Sequence, residues 1–237
     1  MIQPKAVLLD IEGTTTPIDF VYRKLFPYAK EHLNEFLDAH SEDPEVRKCL
    51  NELQQIYGRT YGADSVKDGR IDSTELRNFI ISLIDSDSKA TALKDLEAMI
   101  WNSGYATGEL KGEVYPDVPS AIRRWHDSGI VVCIYSSGSV PAQKAIFSTT
   151  SYGDLTRYIF SYFDTNIGPK SRPESYERIS GLIGVEPARI AFVSDSLNEL
   201  SAAEISGYMT FLSVRPGMNH SGDAKYRVIR NFSELGF

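Results

Sequence analysis

The feature that most constrains this chain is its second half, where apolar runs of strand length alternate with helical patterns and end in polar residues. A helix is expected over 119–128, ended by Gly129. Residues 130–135 (IVVCIY) read as a fully buried strand, followed by Ser136, Ser137, Gly138 and Ser139 and a helix to about Phe147. A weaker strand at 159–163 leads into 164–170. A helix over 173–183 closes at Gly184, a strand over 189–193 runs into Ser194, Asp195 and Ser196, a helix follows over 198–205, and 209–214 is a last strand. The tail from Arg215 reads as loop with a short final element. Strands separated by helices are the signature of a parallel sheet with helices packed on it.

The same strand pattern occurs once near the start, at 6–9 (AVLL), and there Asp10, Glu12, Gly13 and three threonines follow. In an extended tip, side chains repeat every two residues, so Asp10 and Glu12 share a side. A carboxylate pair at the carboxyl end of a central strand stands where open α/β sheets carry their chemistry. A strand running into a polar turn is the plainer alternative for this stretch alone.

Between the two regions no second strand is convincing. Apolar residues recur at helical spacing over 19–37, with Pro27 kinking or dividing that helix. Further helices are expected over 44–57, opened by Asp43 and Pro44, and over 73–84 and 89–102. The expectation is therefore an α/β core of residues 1–16 and 112–237 with an all-helical module, 17–111, inserted after the first strand. Residues 64–75 (DSVKDGRIDSTE) mimic a calcium loop, but Val66 stands at a ligand position. A polar loop ending in a helix cap is the favoured reading there.

The formal net charge is −7, from 25 basic and 32 acidic residues with no basic stripe, so nucleic acid is not an expected partner. Cys49 and Cys133 form neither a disulfide framework nor a zinc spacing, which fits a reducing compartment. Cys133 reads as core, and His126 and His220 as lone histidines. No apolar run reaches membrane length and no signal pattern opens the chain. A soluble cytoplasmic monomer acting on a small molecule is expected.

Four strand ends carry polar groups: Asp10 with Glu12, Ser136 with Ser137, Lys170, and Asp195. A parallel sheet brings all carboxyl ends to one edge. There Asp10 and Asp195 can share a hard cation, and Mg²⁺ fits because it takes one or two carboxylates and completes its shell with water and phosphate. Ser hydroxyls, their amides and the following helix N-terminus can bind phosphate oxygens, and Lys170 supplies a point charge. These parts suit phosphoryl transfer, where positioning and electrostatics dominate. Each residue alone has a plainer reading: Lys170 a surface lysine, Ser136 to Ser139 an N-cap cluster, Asp195 a helix-opening residue, and Glu199 a group serving only the first turn of its helix.

The order Asp10-Ile-Glu12-Gly-Thr, Ser136, Lys170, Asp195 resembles the four motifs of the haloacid dehalogenase (HAD) superfamily. The segments DIEGTTTPIDFVYRKLFPYA, YSSGSVPAQKAIF and FDTNIGPK resemble its enolase-phosphatases of methionine salvage. Two departures stand out: Glu12 where most members carry Asp, and Ser194-Asp195 where many carry Gly-Asp or Asp-Asp. The resemblance implies an α/β fold, with a HAD-like, Rossmann-type parallel sheet and the helical module as a cap. It implies Asp10 as nucleophile and Mg²⁺ ligand, and Glu12 as acid/base that lends the metal its backbone carbonyl. Ser136, Ser137 and Lys170 would bind the substrate phosphate, and Asp195 would be a further Mg²⁺ ligand. One Mg²⁺ per subunit and a phosphorylated diketone substrate follow from it. A HAD phosphatase acting on another small ester is the nearest alternative. A dehalogenase and a non-catalytic phosphometabolite sensor lie further off.

Overall fold

A computed structural model describes residues 3–62, 71–217 and 225–237. The chain divides into two compact units, Met1–Ile18 with Lys111–Phe237, and Asp19–Leu110.

The first unit is built on a six-stranded sheet with order β3-β2-β1-β4-β5-β6. Its strands are β1 (Ala6–Leu9), β2 (Val131–Tyr135), β3 (Ser161–Phe163), β4 (Ile190–Ser194), β5 (Met209–Ser213) and β6 (Arg227–Ile229). Every neighbouring pair is parallel. Parallel strands need crossovers, and α5 (Val118–Asp127), α6 (Val140–Ser148), α7 (Pro173–Ile183) and α8 (Leu197–Ile205) lie between them in sequence. The sheet is buried on both faces, which is why its strands read as continuous apolar runs. Leu8, Cys133, Tyr135 and Phe192 pack on one face with Tyr176 and Ile179 of α7 and Leu200 of α8. Val7, Leu9, Val132, Ile134 and Val193 point the other way and are equally sealed.

The second unit holds α1 (Phe26–His40), α2 (Pro44–Tyr61), α3 (Ser73–Asp85) and α4 (Thr91–Thr107). Leu33, Leu37, Leu53, Phe79, Ile80, Leu93 and Leu96 meet in its core, the face expected from 3.6-residue spacing. Near Pro27 the helix runs on undivided: residues 19–40 are helical without a break. A π-helical turn spans Val21–Leu25 and α1 begins at Phe26, with Pro27 in its first turn. A proline within a continuous helix removes one backbone donor, and the π-helical turn just before Pro27 is the local irregularity that accompanies it.

The tail is more regular than expected. β6 adds a sixth strand, and a 3₁₀ turn, Phe232–Leu235, follows it. Most of the calcium-like loop, residues 64–70, and His220 lie outside the described residues; at the loop's end Asp72 caps α3 by accepting from the amides of Thr74 and Glu75. Among the described residues no helix is long and apolar enough to cross a membrane, and Cys49 and Cys133 are buried free thiols.

Candidate active site

Strand β1 is central, with β2 and β3 to one side and β4 to β6 to the other, so connections leave it in opposite directions. Such a switch point opens a crevice at the carboxyl ends of the strands. Register decides what stands there. Leu9 pairs with Ile134 of β2 and Val193 of β4, and the Asp10 amide donates to the Val193 carbonyl at 3.0 Å. Asp10 therefore stands beside Ser194, and Ser136 and Asp195 follow at the ends of the flanking strands.

The loop after Asp10 is wound tightly. The amides of Thr14, Thr15 and Thr16 all donate to the Ile11 carbonyl, at 3.1, 2.9 and 2.8 Å. The Thr15 hydroxyl donates to the Asp10 carbonyl at 3.0 Å. Gly13 turns the chain with φ +69°, and a β-carbon there would lie 2.4 Å from Asp195 Oδ2. Only glycine allows both the left-handed turn and this approach. Behind the loop, Ser213 Oγ donates to the Gly13 carbonyl at 3.0 Å and Arg215 Nε to the Thr14 carbonyl at 2.8 Å. Arg215 is buried, paired with Asp117 at 2.8 Å, and lies over the rings of Tyr115 and Phe232. Glu12 is exposed on the same loop.

Asp10 is 5% exposed. Its Oδ1 accepts from Lys170 Nζ at 2.5 Å, and Ser194 Oγ lies 3.4 Å from its Oδ2. Lys170 also meets Glu199 Oε2 at 2.7 Å, and Ser194 Oγ donates to that same oxygen at 2.9 Å. Glu199 thus does more than serve the first turn of α8; it is the second anion of a buried Asp10–Lys170–Glu199 chain, and the earlier expectation is corrected. The sequence offers Ser196 and Glu199 at capping-box spacing, yet Ser196 makes no side-chain cap bond, and the carboxylate is committed to Lys170.

Burial opposes a charged Lys170, but Asp10 and Glu199 outweigh it and hold the ammonium above the ordinary lysine range. Burial raises the Glu199 carboxyl, the Asp10 charge adds to this, and Lys170 opposes it. Asp195 is pushed up to about 7, first by burial and then by the Asp10 and Glu199 charges. Lys170 thus pairs with two of the three carboxylates, and burial, with the charges of Asp10 and Glu199, makes Asp195 hold its proton up to about pH 7.

That shortage of positive charge is what a hard cation would meet. Among the described residues no three His, Cys, Asp or Glu side chains converge on a metal position. Mg²⁺ does not need three, since two carboxylates, a carbonyl and water complete its shell. The donor set of Asp10, Asp195 and the Glu12 carbonyl fits it.

Ser136 and Ser137 stand at the end of β2. Ser136 is buried, with its amide donating to the Phe163 carbonyl at 3.2 Å and its Oγ accepting from the Gly138 amide at 3.2 Å. Ser137 is exposed. Ser139 opens α6 without a side-chain cap bond. Direct contacts thus join Asp10 to Lys170. Asp195 lies against Gly13, and the two serines occupy the neighbouring strand end.

A family model for haloacid dehalogenase-like hydrolases matches residues 4–207, and the chain belongs to that family. Among individual proteins it is 43% identical over 229 residues to Enolase-phosphatase E1 of Synechococcus elongatus, covering 97% of this chain and 96% of that one. It is 42% identical to Enolase-phosphatase E1 of Aquifex aeolicus, over 98% of each chain. The solved structure of the UTR4 protein of Saccharomyces cerevisiae superposes with a TM-score of 0.79 at 35% identity, over 98% of this chain and all of that one. These similarities place the chain among the enolase-phosphatases of that family.

Proposed function

We propose that the chain is a bifunctional enolase-phosphatase, a phosphoric monoester hydrolase of methionine salvage. It converts 2,3-diketo-5-methylthiopentyl-1-phosphate to acireductone, 1,2-dihydroxy-3-keto-5-methylthiopentene, and phosphate. The observation that carries this is the full-length similarity to enolase-phosphatases together with an ionised lysine held 2.5 Å from a buried aspartate at the sheet's switch point.

In this reading Asp10 is the nucleophile. Lys170 orients its carboxylate, and Ser194 stands beside the other oxygen. One Asp10 oxygen forms a bond to phosphorus as the bond from phosphorus to the substrate oxygen breaks, and Glu12 gives that oxygen its proton. Water then attacks the aspartyl phosphate, Glu12 takes the water's proton, and Asp10 is regenerated. Ser136, Ser137 and the amides opening α6 hold the phosphate, with Lys170 offsetting its charge. In the enolase step a proton moves from the carbon next to a carbonyl to that carbonyl's oxygen, with no change of redox state. Mg²⁺ held by Asp10, Asp195 and the Glu12 carbonyl would supply charge for the oxygens that become negative in both steps. The helical unit, inserted directly after the Asp10 loop, serves as the cap that selects substrate and excludes water. The buried free thiols of Cys49 and Cys133 suit work in the cytoplasm.

The test is the diketone phosphate itself, with phosphate release and ultraviolet absorbance followed in parallel. The wild type should produce an enol intermediate and then phosphate. Asp10→Asn should cut phosphate release by at least about 10²-fold, since an amide is a poor nucleophile, while slow enol formation persists. Phosphate release with no enol or acireductone would leave a HAD phosphatase for another small ester.

A further inference from the structure

Lys170 sits at the end of residues 164–170, a loop that is itself neither helix nor strand, yet its ammonium is placed between Asp10 and Glu199. A lysine head rides on a flexible four-carbon stem, so its aim depends on how firmly its backbone is held. Four consecutive carbonyls of this loop each accept a hydrogen bond from a side chain. Arg178 Nη1 reaches the Ile167 carbonyl at 2.9 Å. The Tyr135 hydroxyl reaches that of Gly168 at 2.8 Å, Ser175 Oγ that of Pro169 at 2.8 Å, and the Tyr176 hydroxyl that of Lys170 itself at 2.8 Å.

The donors are themselves fixed. Tyr135 is the last residue of β2, and Ser175, Tyr176 and Arg178 lie on α7. Tyr135, Tyr176 and Ser175 are almost fully buried, and the two tyrosine rings meet edge to face at 5.7 Å. Burial holds both phenols above their ordinary range, so they remain donors at neutral pH. Gly168, with φ +140°, lets the loop close on α7, since a β-carbon there would lie 2.3 Å from Ser175 Oγ.

We propose that Tyr135, Ser175 and Tyr176 are positioning residues for the reaction, clamping the 168–170 backbone so that Lys170 Nζ meets Asp10 and Glu199 together. The inference rests on the reading of Asp10 and Lys170 as the phosphatase centre. None of the three need touch substrate. Each acts through Lys170, and a misplacement of about 1 Å at a reacting group costs on the order of 10²-fold in rate.

The experiment uses Mg²⁺-loaded protein: wild type, Tyr176→Phe, Ser175→Ala, Lys170→Met, and Lys170→Met combined with each clamp variant. Phosphate release gives kcat and KM, calorimetry gives the affinity for inorganic phosphate, and melting reports the fold. Each clamp variant should keep its fold, lose about 10-fold in kcat, and bind phosphate roughly 3- to 10-fold more weakly. In the Lys170→Met background the same substitutions should change phosphate affinity less than about 2-fold, because partners acting through one group are not additive. Equal losses in both backgrounds, wild-type kcat in both clamp variants, or failure of both to fold would overturn the proposal. If only Tyr176→Phe fails to fold, Ser175→Ala decides. Wild-type kcat and phosphate affinity in Lys170→Met would instead refute the phosphatase centre.

Discussion

Gly13→Ala is a substitution whose effect divides into two parts, and a second glycine separates them. Gly13 has φ +69° and Gly184, which closes α7, has φ +67°. An alanine in either place pays about 1–2 kcal/mol for the left-handed backbone. At roughly 2–4 °C per kcal/mol for a chain of this size, both variants should melt a few degrees below wild type. The difference lies in the space around them. Nothing lies within 4 Å of a β-carbon at Gly184, whereas at Gly13 it would stand 2.4 Å from Asp195 Oδ2. Ordinary contact begins at 3.4 Å, so Asp195 must retreat by about 1 Å. A displacement of that size in a catalytic group costs on the order of 10²-fold. Gly13→Ala should therefore need far more Mg²⁺ for half-maximal phosphate release and lose up to about 10²-fold in kcat, while Gly184→Ala stays near wild type in both. The assay is phosphate release against MgCl₂ concentration, with thermal melting alongside. Matching Mg²⁺ requirements in the two variants would refute a metal-facing role for Asp195.

Two further outcomes follow from charge. The Asp195 carboxyl is raised to about 7, above the roughly 3.9 of an unfolded aspartate. Between those values the folded, metal-free chain binds more protons than the unfolded one, so this group's contribution to stability falls as pH rises from about 4 to about 7. Mg²⁺ binding at pH 6.5 should release a proton, visible as a dependence of the binding heat on the buffer's ionisation heat that fades by pH 8.5; identical heats in all buffers at pH 6.5 would count against it. Arg215→Met should destabilise the sheet unit by roughly 3 kcal/mol, because it removes the cation from a largely buried pair and leaves Asp117 with the Phe232 amide at 2.7 Å in place of a counter-charge. Urea unfolding followed by Trp125 fluorescence in a Trp101→Phe background measures this, and a loss below about 1 kcal/mol would show that the buried pair contributes little.

The sheet was legible because its strands are buried on both faces and so appear as unbroken apolar runs. Residues 190–194 (IAFVS) and 131–135 (VVCIY) are found within a residue of their expected ends. β6 was not legible. It is three residues long, and Arg227 is exposed, so it lacks an apolar signature and exists through its pairing with β5. Glu199 was misread for a different reason. A glutamate in the first turn of a helix has a local explanation, and its actual partner, Lys170, lies 29 positions away in sequence. Arg215 and Ser213 were invisible for the same reason. They hold the Gly13–Thr14 backbone from some 200 residues downstream, and nothing in their neighbours' composition says so.

Ser194 shows how the parts depend on one another. Its single hydroxyl donates to Glu199 at 2.9 Å and lies 3.4 Å from Asp10 Oδ2, while the Ser196 amide donates to it at 3.1 Å. A glycine there would remove the group between the buried Asp10 and the half-buried Glu199 and leave Lys170 as their only shared partner among these contacts. The charges explain why that matters. Asp10, Glu199 and Asp195 carry three negative charges when ionised, and Lys170 returns one. A divalent cation at Asp10 and Asp195 would bring the cluster to neutrality, and only a neutral cluster can accept a phosphate dianion without strong repulsion. In the proposed enzyme, metal binding is therefore a condition for phosphate binding as well as for chemistry, and the serines and amides at the end of β2 meet the charge that remains.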